Sequence, residues 1–157
     1  MRFNFSPIRL PVAHIRQQST GECLAACAAM VLNYLGHFVD YQRLIKLLRI
    51  QRTVGTPFFH IHELKKLGIS VTHQQGTLQQ LHTHLTRRSP CITGVQTSQL
   101  PYWNHISTPH AVVVVGMDSE FVYVNDPEFA TAPIQVDLGD FDLAWLEHDE
   151  FYALLTL

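Results

Sequence analysis

Apolar and polar positions change period several times along the chain, and each change marks an element. Residues 1–13 hold Pro7 and Pro11 with Ile8, Leu10 and Val12 alternating around them, which predicts an extended arm carrying one short strand across a core. Polar residues 17–21 follow. Residues 22–35 are then good helix formers with no proline or glycine, and Gly36 stops them. A second helix starts at Asp40, a good cap, with Tyr41, Leu44, Ile45, Leu47 and Leu48 inward and Arg43, Lys46 and Arg49 to water. After Gly55, Thr56 and Pro57 the apolar residues Phe58, Ile61, Leu64 and Leu67 recur up to Gly68 and predict a third helix of about ten residues. Ile69, Val71 and His73 alternate as a strand, and Thr77 caps a fourth helix whose buried stripe is Leu78, Leu81 and Leu85.

From Pro90 the pattern turns to strands. Residues 91–95 read as a buried strand with Cys91 in the core. Residues 96–109 form a polar loop carrying Leu100, Tyr102 and Trp103. The run Ala111, Val112, Val113, Val114, Val115 is too β-branched for a comfortable helix and predicts a central strand. A hairpin through residues 117–120 returns it as Phe121, Val122, Tyr123 and Val124. A short strand at 134–136, a helical turn at 141–146 carrying Trp145 inward, and a last apolar strand at 151–157 close the chain. No linker, repeat or low-complexity tract divides it, so residues 1–157 are expected to form a single α+β domain.

Composition narrows the function classes. At 46% hydrophobic and 15% charged residues the 157-residue chain is globular rather than disordered. Eleven Lys and Arg against thirteen Asp and Glu leave no broad basic face, which argues against nucleic acid as a partner. Three cysteines cannot all pair, so a reducing cytoplasm is the expected compartment. No stretch is long and apolar enough for a signal peptide or a membrane span. The histidine pairs His60/His62 and His82/His84 are spaced i, i+2, which separates them on a helix. No metal site or cofactor is therefore expected, and these side chains, with His73, are read as exposed.

Candidate chemistry is concentrated in two stretches. Cys23 falls in the first turn of its helix, where free backbone N–H groups and the helix dipole favour a thiolate, whereas Cys27 one turn on reads as a packing residue. Gln17, six residues earlier, is placed to donate to an oxyanion beside Cys23. In the second stretch His110 enters one strand of the hairpin and Asp126 leaves its antiparallel neighbour, so both lie at the same end. Asp126 there suits one imidazole nitrogen and leaves the other for a thiol, although before Pro127 it also suits a turn. Tyr102 and Trp103 are expected to line a substrate groove.

These residues resemble the C39 group of papain-like cysteine peptidases, processing domains that remove double-glycine leader peptides. The resemblance rests on Gln17 six residues before Cys23, on the helix running through Asn33, Tyr34, Leu35 and Gly36, on the sixteen-residue step from His110 to Asp126 joined to Val-Asn-Asp-Pro, and on Phe141 to Trp145. It implies a papain-like fold with an N-terminal helical part on an antiparallel sheet. It also implies Cys23 as nucleophile, His110 as base and then acid, Asp126 as the orienting residue, and Gln17 with the Cys23 N–H as the oxyanion hole. Where the family carries Asp-Cys-Gly this chain has Glu22, Cys23 and Leu24, so Leu24 is expected to bear on substrate entry. With neither membrane helices nor a nucleotide-binding motif in the sequence, a peptide or protein substrate and a separate transporter or precursor protein are the partners implied. Acyl transfer to an amine from the same acyl-enzyme, and non-catalytic leader-peptide binding, are the alternatives.

Overall fold

The valine run predicted as a central strand is β4 (Pro109–Met117), and every residue in it except Pro109 is buried. Alternation divides its side chains between two cores: Val112 and Val114 face one, and Ala111, Val113 and Val115 face the other. A strand wet on neither side requires cover on both. The computed structural model describes residues 3–157, so Met1 and Arg2 of the predicted arm lie outside the described residues.

The sheet is antiparallel throughout. Its order is β2 (Ser70–Gln75), β7 (Phe151–Thr156), β3 (Cys91–Gln96), β4, β5 (Phe121–Asn125) and β6 (Ile134–Asp137), with the two-residue β1 (Ile8–Arg9) pairing the far end of β4. The C-terminal strand thus threads between β2 and β3 rather than adding at an edge. One face is covered by α1 (Cys23–Tyr34) and α2 (Tyr41–Leu47); the other is covered by α3 (Leu78–Thr86) and α4 (Leu138–Leu146). The expected helical part on an antiparallel sheet is present, and α3 and α4 make a third layer behind it.

Local chemistry explains the element ends. In α1 residues 24–32 are all buried, as a helix apolar around its whole circumference must be, and the chain leaves it at Gly36 with φ of +79°. The Asp40 carboxylate caps α2 by accepting from the Arg43 N–H at 3.2 Å, and Thr77 with Gln80 forms a capping box at the start of α3.

Two expectations are corrected. The segment Phe58–Leu67 is a run of 3₁₀ turns rather than an α-helix. Its apolar positions 58, 61, 64 and 67 step by three, which matches three residues per turn and would drift off one face of a 3.6-residue helix. The histidines read as exposed also are not free on the surface: His82 is buried and the others are half-buried. His82 is 8% exposed, stacks on Phe5 and donates to the Ser6 carbonyl at 2.8 Å; His60 donates to the Leu48 carbonyl at 2.8 Å; and His62 shares a hydrogen bond of 3.1 Å with His73. Each satisfies one ring nitrogen locally and packs the rest of the ring, a use of imidazole that helical spacing does not reveal.

Candidate active site

The hairpin β4–β5 pairs Val113 with Asn125, so His110, three residues before the one, and Asp126, one after the other, emerge at the same end. There His110 Nε2 donates to Asp126 Oδ1 at 2.7 Å. The same carboxylate is saturated. Oδ1 also accepts the Glu128 N–H at 3.0 Å, and Oδ2 accepts the Tyr102 hydroxyl at 2.7 Å and the Trp103 indole N–H at 2.9 Å. Asp126 is fully buried and His110 nearly so, and the Trp103 ring meets the imidazole edge-on at 5.0 Å. A buried carboxylate with four donors stays ionised: burial pushes its proton affinity up, but the bonds from His110, Glu128 and Trp103 outweigh this and hold it below the usual range.

The first turn of α1 approaches the hairpin end from the opposite core. Cys23 lines the cleft with His110, close enough that its charge bears on the ring. Since Nε2 is committed to Asp126, Nδ1 is the nitrogen left for the thiol. Burial works against a charged imidazole, but Asp126 on one side and Cys23 on the other overcome it and raise His110 from 6.5 to about 10. The other two thiols differ in kind. Cys27 and Cys91 are fully buried, and burial pushes both well above the ordinary thiol value. All three cysteines are free, and Cys23 alone is partly open.

Gln17 reaches the site because residues 12–17 are sewn along the turn after β5. Asn125 donates its amide to the Val12 carbonyl at 3.0 Å, His14 donates to the Phe129 carbonyl at 2.6 Å, and the Gln17 N–H donates to the Pro127 carbonyl at 2.8 Å. The Gln17 side chain then lines the same cleft as Cys23 and donates through Nε2 to Glu128 Oε2 at 2.5 Å.

The residue before the cysteine is a second organising point. Glu22 is 1% exposed and accepts from the Gln18 N–H, the Ser19 and Tyr41 hydroxyls and Arg52 Nε, the last at 2.8 Å. Burial raises its proton affinity, but these four donors prevail and lower it. One carboxylate thereby ties the approach to α1 to the loop at residues 51–57, which forms a wall of the cleft. Gly21 completes the junction: with φ of +88°, a Cβ there would lie 2.8 Å from the Gln51 carbonyl oxygen.

The cleft holds about 740 Å³, of the order expected for a ligand site. Leu24, Val54, Phe58, Trp103 and Ile106 are its apolar lining. Val54 and Ile106 are 79% and 60% exposed, an unusual state for apolar residues and one suited to gripping an apolar chain. Of the residues singled out in the sequence, Gln17, Cys23, Leu24, Trp103 and His110 meet at this cleft, with Asp126 directly behind His110. Tyr102, expected on the groove wall, is instead committed to Asp126 and packs on Phe129 from behind. Sequence reading did not single out Glu22 as a hub, Glu128 or the 51–57 wall, nor His148, which also lines the cleft. Only Glu22 left a trace, as an acidic residue abutting an apolar helix.

A cysteine at the head of a buried helix, facing a histidine–carboxylate pair on an antiparallel sheet, defines a papain-like cysteine peptidase. The peptidase C39 family model matches residues 12–148, and the chain belongs to that family. Three solved structures share its fold. A protein described as a C39-like peptidase from Bacillus anthracis has a TM-score of 0.78 and 19% identity over 97% of this chain and 98% of that one. A double glycine motif protease from an AMS/PCAT transporter, in complex with the leader peptide, has a TM-score of 0.72 and 20% identity over 96% of each chain. The peptidase domain of Streptococcus ComA, a bi-functional ABC transporter, has 0.71 and 19% over 92% of this chain and 98% of that one. No curated protein matches by sequence. Among the described residues no helix is long and apolar enough to cross a membrane.

Proposed function

We propose that this chain, acting as one peptidase domain, hydrolyses a peptide bond in a flexible segment of a leader or precursor peptide through Cys23, His110, Asp126 and Gln17. The observation that carries the reading is the 2.7 Å bond from His110 Nε2 to Asp126, which leaves Nδ1 for Cys23 in an open apolar cleft. The Cys23 thiolate attacks the scissile carbonyl, and an S–C bond forms as the carbonyl electrons move onto oxygen. The Gln17 amide and the Cys23 backbone N–H donate to that oxyanion. Collapse expels the amine, which takes its proton from the His110 imidazolium and leaves a thioester. Neutral His110 then removes a proton from water, hydroxide adds to the thioester carbon, and the thiolate departs as the acid product is released.

The substrate class follows from the cleft walls and from the relatives. Val54, Phe58, Ile106 and Leu24 favour apolar side chains, and one structural relative is a double glycine motif protease in complex with a leader peptide. Three free thiols suit a reducing compartment such as the cytoplasm, with a separately supplied transporter or precursor as partner. The test is incubation with synthetic peptides carrying apolar residues ahead of Gly-Gly, with the products weighed by mass spectrometry. Cleavage after Gly-Gly to a free acid, absent in Cys23→Ala, is expected. Intact peptide in the presence of a freely alkylatable Cys23 would overturn the proposal.

A further inference from the structure

We propose that Glu128 is a positioning residue for the oxyanion donor, its carboxylate fixing the side-chain amide of Gln17 in the orientation catalysis needs. The inference rests on the role given to Gln17 above. A primary amide has two nearly isosteric ends, one accepting and one donating, and an oxyanion hole works only with the donating end in place. A carboxylate accepts and never donates, so Glu128 Oε2 at 2.5 Å admits only Nε2 and rejects the flipped amide by charge repulsion. One N–H of Gln17 is thereby engaged, and its second is left for the cleft that Gln17 lines. The other end of the amide offers no competing anchor: Gln17 Oε1 is buried without a partner. Among the described residues, Glu128 is the carboxylate on the cleft wall, so its negative charge there calls for a reason.

Glu128 is itself held firmly by its backbone. Its N–H donates to Asp126 Oδ1 at 3.0 Å and its carbonyl accepts from Arg16 Nε at 3.2 Å, while the Pro127 carbonyl accepts the Gln17 N–H at 2.8 Å. Three consecutive residues thus carry the carboxylate that orients His110 and the one that orients Gln17. Any shift of that turn moves the proton-transfer group and the oxyanion donor together. A carboxylate so near a forming oxyanion is unfavourable by Coulomb's law, and the interposed amide, donating to both anions in turn, offsets it. The opposite role, a brake that sequesters the Gln17 donor, makes the reverse kinetic prediction.

The experiment compares Glu128→Ala, Glu128→Asp, Glu128→Gln, Gln17→Ala and the double variant Q17A/E128A on a Gly-Gly peptide amide with a coumarin leaving group. Because both backbone bonds of Glu128 survive truncation, E128A should melt within about 3 °C of the parent. Its kcat should fall about tenfold with KM within about twofold, below the 10²- to 10³-fold loss expected for Q17A itself. E128D, which keeps the charge but withdraws the carboxylate, should fall similarly and provides the test if E128A folds poorly. E128Q offers a donor as readily as an acceptor, so Gln17 can pair with it in either orientation, and kcat should fall between the parent and E128A. On the Q17A background E128A should cost nothing further, since a positioning residue acts through what it positions. Iodoacetamide alkylation of Cys23, which forms no oxyanion, should be unchanged in E128A. Parental or higher kcat in E128A and E128D, or a full additive loss on the Q17A background, would overturn the role of Glu128 while a costly Q17A left that of Gln17 intact. Parental turnover in Q17A would remove both.

Discussion

Asp126→Asn is the most informative single change, because it keeps the shape of the side chain and removes its charge. The native carboxylate presents only acceptors to four donors, two on each oxygen. An asparagine must turn its NH₂ toward one pair. Facing His110 and the Glu128 N–H it would oppose two donors, one of them a backbone group that cannot adapt. Facing Tyr102 and Trp103 it meets a hydroxyl that can reverse and accept, so this orientation prevails and leaves the Trp103 indole N–H as the one buried donor without a partner. Such a loss costs about 1–3 kcal/mol, or a fall of about 2–12 °C in melting temperature for a domain this size. Function should suffer more. The asparagine oxygen still accepts from His110 Nε2, but the anion that stabilised the imidazolium is gone. His110 should therefore titrate well below its present value of about 10, toward or below the ordinary 6.5. The general acid for amine departure would then be largely deprotonated at neutral pH, and turnover should fall about 10²- to 10⁴-fold. The assay is the pH profile of kcat/KM on a Gly-Gly peptide. The native alkaline limb should lie near pH 10, where His110 loses its proton, and in Asp126→Asn it should move down by at least one unit. An alkaline limb that stays put, or a variant with parental turnover at pH 7, would refute the role given to the His110–Asp126 pair.

Further outcomes follow from the junction before Cys23. Gly21→Ala would force a Cβ to 2.8 Å from the Gln51 carbonyl at φ of +88°, so it should destabilise the protein by about 1–3 kcal/mol and cut turnover by displacing the 51–57 wall; parental melting and kcat would show the contact to be soft. Glu22→Gln swaps an accepting oxygen for NH₂ in a site of four donors, and hydrogen exchange at the Thr53 amide, bonded to the Thr20 carbonyl at 3.0 Å, should quicken as the loop loosens. Unchanged exchange there would argue that Glu22 does not tie the wall. The folded-state proton affinities of Glu22 and Asp126 are both lowered, so the stability they contribute is full above the ordinary carboxylate range and disappears as pH falls through the lowered values. Thermal melts of Glu22→Gln and the parent should therefore converge with acidification; a constant gap down to about pH 3 would contradict that linkage.

Much of the fold was legible because it is set locally. The helix at Cys23, the capping box at Thr77 and the β4–β5 hairpin each follow from a few adjacent residues, and the hairpin alone sufficed to bring His110 and Asp126 to one end. The 3₁₀ run was misread because each step of three residues, taken singly, also suits an α-helix, and only the drift accumulated from Phe58 to Leu67 separates the two. Insertion of β7 between β2 and β3 was not legible, since strand order depends on contacts some sixty to eighty residues apart and no turn chemistry encodes it. Tyr102 illustrates the same limit at the site: an aromatic in a polar loop was read as a groove residue, yet its hydroxyl serves Asp126. Glu128 was unreadable because its partner, Gln17, lies 111 residues earlier.

The central claim is that Cys23 and His110 act as a pair, and the pH dependence of Cys23 alkylation tests it most directly. Iodoacetamide rates at Cys23, followed by mass spectrometry from about pH 5 to 9, should exceed those of His110→Ala most at the acid end, while Cys27 and Cys91 remain unlabelled. In His110→Ala the rate at about pH 6 should drop at least tenfold and climb with pH as for an isolated thiol. Identical profiles for the two proteins, or labelling of Cys27 or Cys91 ahead of Cys23, would contradict the claim.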